Sequence, residues 1–329
     1  MSTPSSPASA PRTSKLAVIG AGAVGASVAY AAMLRGSAHT IALYDIATAK
    51  VDAEVLDLAH GSSLASPHTS PARIIGGDDI SCVAGADVVV ITAGAKQKPG
   101  QTRLDLAGTN VAILRSILPP LLEQAPEAVF VLVTNPADVL ALAADRIAGL
   151  PAGRVMSSGT VLDTSRLRRR LAERLGVSSR SVHASIIGEH GDSEFALWSR
   201  ASIGEVPLRE WVDADGERAL SEEDLARLEH EVAHAAYPVI EGKGATSLAI
   251  GVSAARIVEA ILSDEHAVLP VSTPLDGHLG IDDVAMSVPS VVGRAGVIRQ
   301  LHAPMDAAEL RKLEASAEAL RAVQRTLGL

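Results

Sequence analysis

Lys15-Leu16-Ala17-Val18-Ile19-Gly20-Ala21-Gly22-Ala23-Val24-Gly25 is the stretch that decides the fold. The apolar run before Gly20 reads as a buried strand, and the Ala-rich segment through Met33 reads as a helix. Strand, glycine turn and helix then arrive in the order that pyrophosphate binding requires. The first glycine permits the tight turn, the second lets the pyrophosphate approach the backbone, and the third lets helix and strand pack closely. The phosphate lies at the positive end of the helix. A GxGxxG alone is also a common core turn, so the context matters. Here a second strand, Thr40-Ile41-Ala42-Leu43-Tyr44, ends in Asp45, twenty residues beyond Gly25. A carboxylate at that position accepts hydrogen bonds from ribose hydroxyls and repels a 2′-phosphate, which favours NAD over NADP.

Working outward, Ala86-Asp87-Val88-Val89-Val90-Ile91-Thr92 reads as a third buried strand leading into Ala93-Gly94-Ala95. Residues 105–124 carry helical periodicity, with a kink expected at Pro119-Pro120. Ala128-Val129-Phe130-Val131-Leu132-Val133-Thr134 reads as a fourth strand that delivers Asn135-Pro136. The alternation predicts an α/β fold with a Rossmann-type doubly wound parallel sheet. Ligands of such sheets bind at the carboxyl ends of the strands, so Gly20 to Gly25, Asp45, Gly94 and Asn135 are expected to line one crevice.

Composition limits what else the chain can be. Its 329 residues suffice for two domains, and 47% hydrophobic with 2% aromatic content builds the core from Ala, Val, Leu and Ile. A formal charge of −9 argues against nucleic acid or an anionic membrane as the main partner. Cys82 is the single cysteine, so no disulfide forms within the chain and a reducing, cytoplasmic setting is expected. Residues 1–14 are rich in Ser, Pro, Ala and Thr and read as a disordered tail. No apolar run approaches the length of a membrane span. We therefore expect a tail at 1–14, an NAD-binding Rossmann domain at 15–157 and an α+β substrate domain at 158–329.

The second half carries Ile187-Gly188-Glu189-His190-Gly191-Asp192-Ser193, a histidine between glycines and acids after a short apolar run. Imidazole titrates near neutral pH, a carboxylate can fix its tautomer, and flanking glycines admit a small substrate. Taken alone, the same segment also suits a histidine that only packs or caps at a strand-to-loop corner.

Six spaced motifs weigh on that choice: Gly20-Ala21-Gly22-Ala23-Val24-Gly25, Thr92-Ala93-Gly94-Ala95, Lys98-Pro99-Gly100-Gln101-Thr102-Arg103, Val133-Thr134-Asn135-Pro136, Ser158-Gly159-Thr160-Val161-Leu162-Asp163-Thr164-Ser165-Arg166 and Gly188-Glu189-His190-Gly191-Asp192. With these the chain resembles the lactate/malate dehydrogenase family over nearly its whole length after the tail. The resemblance implies reversible hydride transfer between NAD and a 2-hydroxy acid. By it His190 exchanges a proton with the keto oxygen, Asp163 holds the imidazole, and Arg166 offers a planar fork to the substrate carboxylate. Arg103 on the 98–103 loop would close over the polarising carbonyl, and Asn135 would donate to the same oxygen or position the nicotinamide. Asp138 joins the implied substrate residues. Val24, Lys50, Ala95, Ser116, Val133 and Ser158 join the glycines, Asp45 and Asn135 around the cofactor. Without the resemblance, Asp163 and Arg166 read as a surface i,i+3 ion pair and Arg103 as a solvated loop arginine.

Within the family the residue before Lys98-Pro99-Gly100 faces the part of the substrate that differs between pyruvate and oxaloacetate. Here it is Gln97. A neutral amide tolerates a methyl group and does not neutralise a second carboxylate, which points to pyruvate and L-lactate. Thr246 would border the same pocket, while Ala245 and Leu248 leave room for a bulkier 2-keto acid. Arg168 and His183 match positions that bind fructose 1,6-bisphosphate at a subunit interface in bacterial relatives, which predicts an activated homotetramer. The plainer reading makes Arg168, Arg169 and Arg170 a solvated helix face. Segments 221–232 and 307–327 read as amphipathic helices, and 267–299 as an antiparallel sheet completing the substrate domain. His266, His278 and His302 lack ligand spacing, so no metal is expected. Two rivals stay open: a malate dehydrogenase, and a catalytically silent NAD-binding protein.

Overall fold

The computed structural model describes residues 14–65, 71–95 and 103–329, with the side chains of 103 and 104 excepted. The tail expected at 1–14 therefore lies almost wholly outside the described residues. The N-terminal half alternates β1 (Lys15–Ile19), α1 (Ala23–Arg35), β2 (Thr40–Tyr44), α2 (Thr48–Ala65), β3 (Arg73–Gly77), β4 (Val88–Ile91), α3 (Arg103–Gln124), β5 (Val129–Leu132), α4 (Ala137–Ala148) and β6 (Val155–Ser157). The six strands pair in parallel in the order β3-β2-β1-β4-β5-β6.

Side chains alternate across each strand, so a strand buried on both faces must be apolar throughout. β4 and β5 are buried at every position. Leu16 and Val18 of β1 join the core beneath α1, whereas Ala17 and Ile19 join the core beneath α3 and α4. Helix α3 runs through Pro119 and Pro120 and ends at Gln124.

The C-terminal half begins with α5 (Val161–Leu175), followed by the short strands β7 (Val182–His183), β8 (Ile186–Ile187), β9 (Phe195–Ala196), β10 (Ser202–Ile203) and β11 (Val206–Pro207). Next come α6 (Glu222–Ala233), α7 (Tyr237–Lys243), α8 (Leu248–Leu262), β12 (Ala267–Leu269), β13 (Ser272–Pro274), β14 (Ala285–Ser287), β15 (Ser290–Gly293), β16 (Gly296–Gln300) and α9 (Ala307–Leu327). The amphipathic segments at 221–232 and 307–327 are α6 and α9, each opened by a capping box, at Ser221/Asp224 and Asp306/Glu309.

The 267–299 segment departs from expectation. It is antiparallel, but only β12, β15 and β16 form a sheet of their own. β13 instead pairs with β6, and β14 with β13, so the main sheet reaches eight strands. β6 would otherwise present an edge of unpaired backbone groups, and pairing it removes that liability. Helix α8 also crosses over: Ala254, Ala255 and Val258 enter the same core as Ala29 and Ala32 of α1. The second half is thereby welded to the cofactor half along both a sheet edge and a sheet face.

Candidate active site

The glycine turn is shaped by close approach. A Cβ on Gly25 would fall 1.8 Å from the Gly20 carbonyl oxygen, and the Gly20 N–H donates to the Tyr44 carbonyl at 2.7 Å. Gly22 is different, for a Cβ there meets only the Lys50 ammonium, at 3.9 Å. Open space at the N-terminus of α1, beside a cation, is what an incoming pyrophosphate needs. Asp45 stands at the end of β2, its carboxylate accepting from the Ala21 N–H at 2.7 Å and the Ala47 N–H at 3.0 Å. The residues present thus fit a dinucleotide. Val24 is half-buried on α1 and packs against the core between α1 and the sheet.

The second wall is built on β4 and β5. Val133 and Ser158 are buried and continue the sheet ladder, donating to Ile91 and Leu132. Gly94 and Ala95 are fastened by a residue that the sequence reading missed. Asn110, 2% exposed on α3, accepts from the Ala95 N–H at 2.7 Å and donates to the Asn135 carbonyl at 2.8 Å. The signal was an asparagine in the apolar stripe of a helix, where a buried amide must have partners. The Asn135–Pro136 peptide is cis. Ser116 is exposed on α3, its hydroxyl turned back to the Ile113 carbonyl. Gln97 and the side chain of Arg103 lie outside the described residues. Thr246 is half-buried at the entry to α8.

The histidine site forms where α5 meets β8. Thr160 and Thr164 tie the start of α5 to the Ile186 backbone at 2.6 and 2.9 Å, which places Asp163 against the chain that follows β8. Gly188 turns that chain at φ +94°, a conformation open to glycine, and its backbone bridges Ser287 in both directions. The Glu189 N–H then donates to the Ser316 hydroxyl of α9 at 2.6 Å. His190 follows, held by side chain and main chain. Its Nδ1 lies 2.8 Å from Asp163 Oδ2, its backbone N–H donates to Asp138 Oδ2 at 2.6 Å, and its ring stays 27% exposed.

Asp163 uses its second oxygen on Arg166, whose Nη1 donates to Oδ1 at 2.6 Å. The pair is i,i+3 on a helix, but Asp163 is only 2% exposed, so this is no surface ion pair. Burial would raise the Asp163 carboxyl, yet His190 and Arg166 outweigh it and hold it below the usual carboxylate range. Burial would likewise strip the proton from His190. The charge and hydrogen bond of Asp163, aided by Glu194, instead raise its proton affinity well above that of free imidazole. A protonated ring whose Nε2 is unengaged among the described residues, with a guanidinium beside it, can donate a proton to a carbonyl while binding an anion.

Two further carboxyls surround the ring. Asp138, counted by resemblance among the substrate residues, is 2% exposed and bonded to the His190 main chain, and burial pushes it up to about 6. Glu194 was not singled out from the sequence. Its side chain is 3% exposed, with Oε2 3.8 Å from His190 Nδ1. Asp163, His190 and Glu194 place their polar atoms within 4.8 Å of one another. Asp163 already accepts from the ring and from Arg166.

Arg168 reaches the chain just after His183: its Nε, half-buried, donates to the Ala184 carbonyl at 2.9 Å, while His183 is exposed on β7. Burial lowers the pKa of Arg168, which therefore is not part of a freely solvated face.

Comparison with known proteins gives the family. Residues 14–157 match the model of the lactate/malate dehydrogenase NAD-binding domain, and residues 160–326 that of the family's alpha/beta C-terminal domain. Fold, site and domains define an NAD-dependent oxidoreductase. An L-lactate dehydrogenase of Bifidobacterium animalis subsp. lactis is 50% identical over 94% of this chain and 96% of its own. That of a Synechococcus strain is 46% identical over 94% and 98%. The ligand-bound crystal structure of the minor L-lactate dehydrogenase from Enterococcus mundtii superposes with a TM-score of 0.89, at 40% identity over 95% and 98% of the two chains. The chain belongs to the lactate/malate dehydrogenase family.

Proposed function

We propose that this enzyme is an L-lactate dehydrogenase, reducing pyruvate with NADH and running in reverse, with His190 as the proton donor and acceptor. The observation that carries the proposal is the Asp163 carboxylate, which holds His190 Nδ1 with one oxygen and Arg166 with the other. With Nδ1 committed, Nε2 is the nitrogen left to deliver a proton to the keto oxygen and to recover it from the hydroxyl. The remaining N–H groups of Arg166 offer the substrate carboxylate a fork, fixing its distance from that nitrogen. Asn135, steadied by Asn110, would donate to the keto oxygen or position the nicotinamide, and Arg103 would polarise the same carbonyl. The crevice of Gly20, Gly22, Val24, Gly25, Asp45 and Lys50 would hold the dinucleotide, with Gly94, Ala95, Ser116, Val133 and Ser158 along its other wall. When bound there, the reduced cofactor NADH would supply the hydride for pyruvate reduction, and NAD would accept it back from lactate.

Gln97 supports pyruvate over oxaloacetate, since it carries no charge to meet a second carboxylate, and Thr246 would complete that pocket. The relatives described as L-lactate dehydrogenases support the same choice. The reach of Arg168 to the chain just after His183 supports activation by fructose 1,6-bisphosphate, in a cytoplasmic homotetramer. The test is NADH oxidation with pyruvate and with oxaloacetate, each with and without the sugar bisphosphate. Faster turnover of pyruvate, raised by fructose 1,6-bisphosphate, is expected; preference for oxaloacetate would overturn the substrate assignment. His190→Asn should lower kcat by at least about a hundredfold, the usual share of general acid catalysis, with NADH binding retained. Unchanged turnover would sink the mechanism.

A further inference from the structure

We infer that Glu194 is a positioning residue for this reaction: its buried carboxyl, set against the same nitrogen of His190 that Asp163 holds, governs how firmly the ring keeps its proton. The inference rests on the assignment of His190 as the proton donor.

The loop geometry creates the contact. β8 and β9 pair antiparallel, Ile187 opposite Phe195, so the chain leaving at Gly188 must return at Glu194. The Glu194 N–H donates to the Gly191 carbonyl at 3.3 Å, which closes the loop and turns the side chain inward. Oε2 lies 3.8 Å from His190 Nδ1, while Asp163 Oδ2 lies 2.8 Å from it. One proton thus faces two carboxyls. Asp163 has a cation of its own in Arg166, whereas Glu194 Oε1 is buried without a hydrogen-bond partner among the described residues.

Among the described residues, each charged group around the ring has its place. Asp163 and Arg166 face it from α5, and Asp138 reaches its backbone from α4. On its own loop the Glu189 carboxylate is engaged by the Ser193 hydroxyl, and from α7 the Tyr237 hydroxyl donates to Asp192 at 3.4 Å. Among the described residues, Glu194 is the carboxyl that approaches Nδ1 with no arginine or lysine bonded to it. With the ring protonated, the two carboxylates Asp163 and Glu194 balance His190 and Arg166. Once the ring gives its proton to substrate, an ionised Glu194 leaves the cluster one negative charge in excess, which draws the next proton back. Burial pushes the Glu194 carboxyl up to about 7, so its charge develops across the range in which the enzyme would work.

The sign follows. A carboxylate beside an imidazole favours imidazolium, typically by one to three pH units for contacts of this length. Removing that charge makes His190 release its proton at lower pH. Pyruvate reduction needs the protonated ring and lactate oxidation the neutral one, so the two directions must respond oppositely.

The decisive experiment is the pH profile of kcat/KM in both directions for the wild-type protein and for Glu194→Gln, which keeps size and shape. The alkaline limb of pyruvate reduction should move down by about one unit, a roughly tenfold loss at pH above that limb, with near wild-type rates at pH 6. The acid limb of lactate oxidation should move down as well, so the variant oxidises lactate faster than wild type on that limb. Glu194→Asp keeps the charge and should restore most of the wild-type profile; it also serves if the amide fails to fold. Superimposable profiles, or equal losses in both directions at every pH, would overturn the inference. Failure of the underlying assignment would read differently, as undiminished turnover in His190→Asn.

Discussion

Asp163 illustrates how one buried side chain can organise a site. A carboxylate at 2% exposure is tolerable only with cationic or donating partners on both oxygens, and it has His190 and Arg166. Asn110 does the equivalent work for the cofactor wall without charge, joining the Ala95 N–H to the Asn135 carbonyl. Replacing it with leucine would leave one buried donor and one acceptor unpaired, at a cost of about 1–3 kcal/mol for each. Asn110→Leu should therefore unfold at lower denaturant and raise the KM for NADH; unaltered values in both measurements would contradict this role. His190, Asp163 and Arg166 were legible because each stands in a spaced motif. Asn110 and Glu194 were not, because their meaning lies in what they touch, and neither Asn in a helix nor Glu after Ser193 advertises a partner.

The elements were legible where local physics decides them. Ser221 and Asp306 announce α6 and α9, since each side chain caps the free N–H groups of the first turn and a third-position acid reciprocates. Ser221→Ala should cost about 1 kcal/mol, seen as a lower melting temperature with kcat unaffected, because α6 opens far from His190 in the chain. A stability loss below a few tenths of a kcal/mol would mean that tertiary packing alone holds that end. Pairing partners were less legible. Thr273 and Met286 sit opposite each other as their alternation suggests, but that β13 would dock on β6 depends on an edge created 115 residues earlier. Periodicity reports which face of a strand is buried and not which neighbour lies beside it.

At the scale of the molecule, α1, α2 and α8 leave Tyr30, Leu34, Leu56, Leu64, Leu248 and Val252 between 44% and 85% exposed. Apolar side chains gathered on neighbouring helices are the usual mark of a face covered by another protein. That face supports the proposed self-association, and light scattering at micromolar concentration should return the mass of a tetramer. Leu64→Glu combined with Val252→Glu should shift the population to smaller species without loss of fold, whereas a wild-type monomer would refute the association. Among the described residues no helix is long and apolar enough to cross a membrane.

The sequence by itself determined the dinucleotide crevice, because glycine spacing, an apolar strand and a helix N-terminus are properties of contiguous residues. It also pointed to the residues proposed as proton donor and anion fork, His190 and Arg166, each being carried by a short motif. Only the tertiary structure decided how the proton is held. His190, Asp163, Asp138 and Glu194 come from two helices and a hairpin, and the proton affinity of each depends on burial and on charges brought within a few ångströms by folding. Burial and through-space distance are set by packing, which no local pattern of residues encodes.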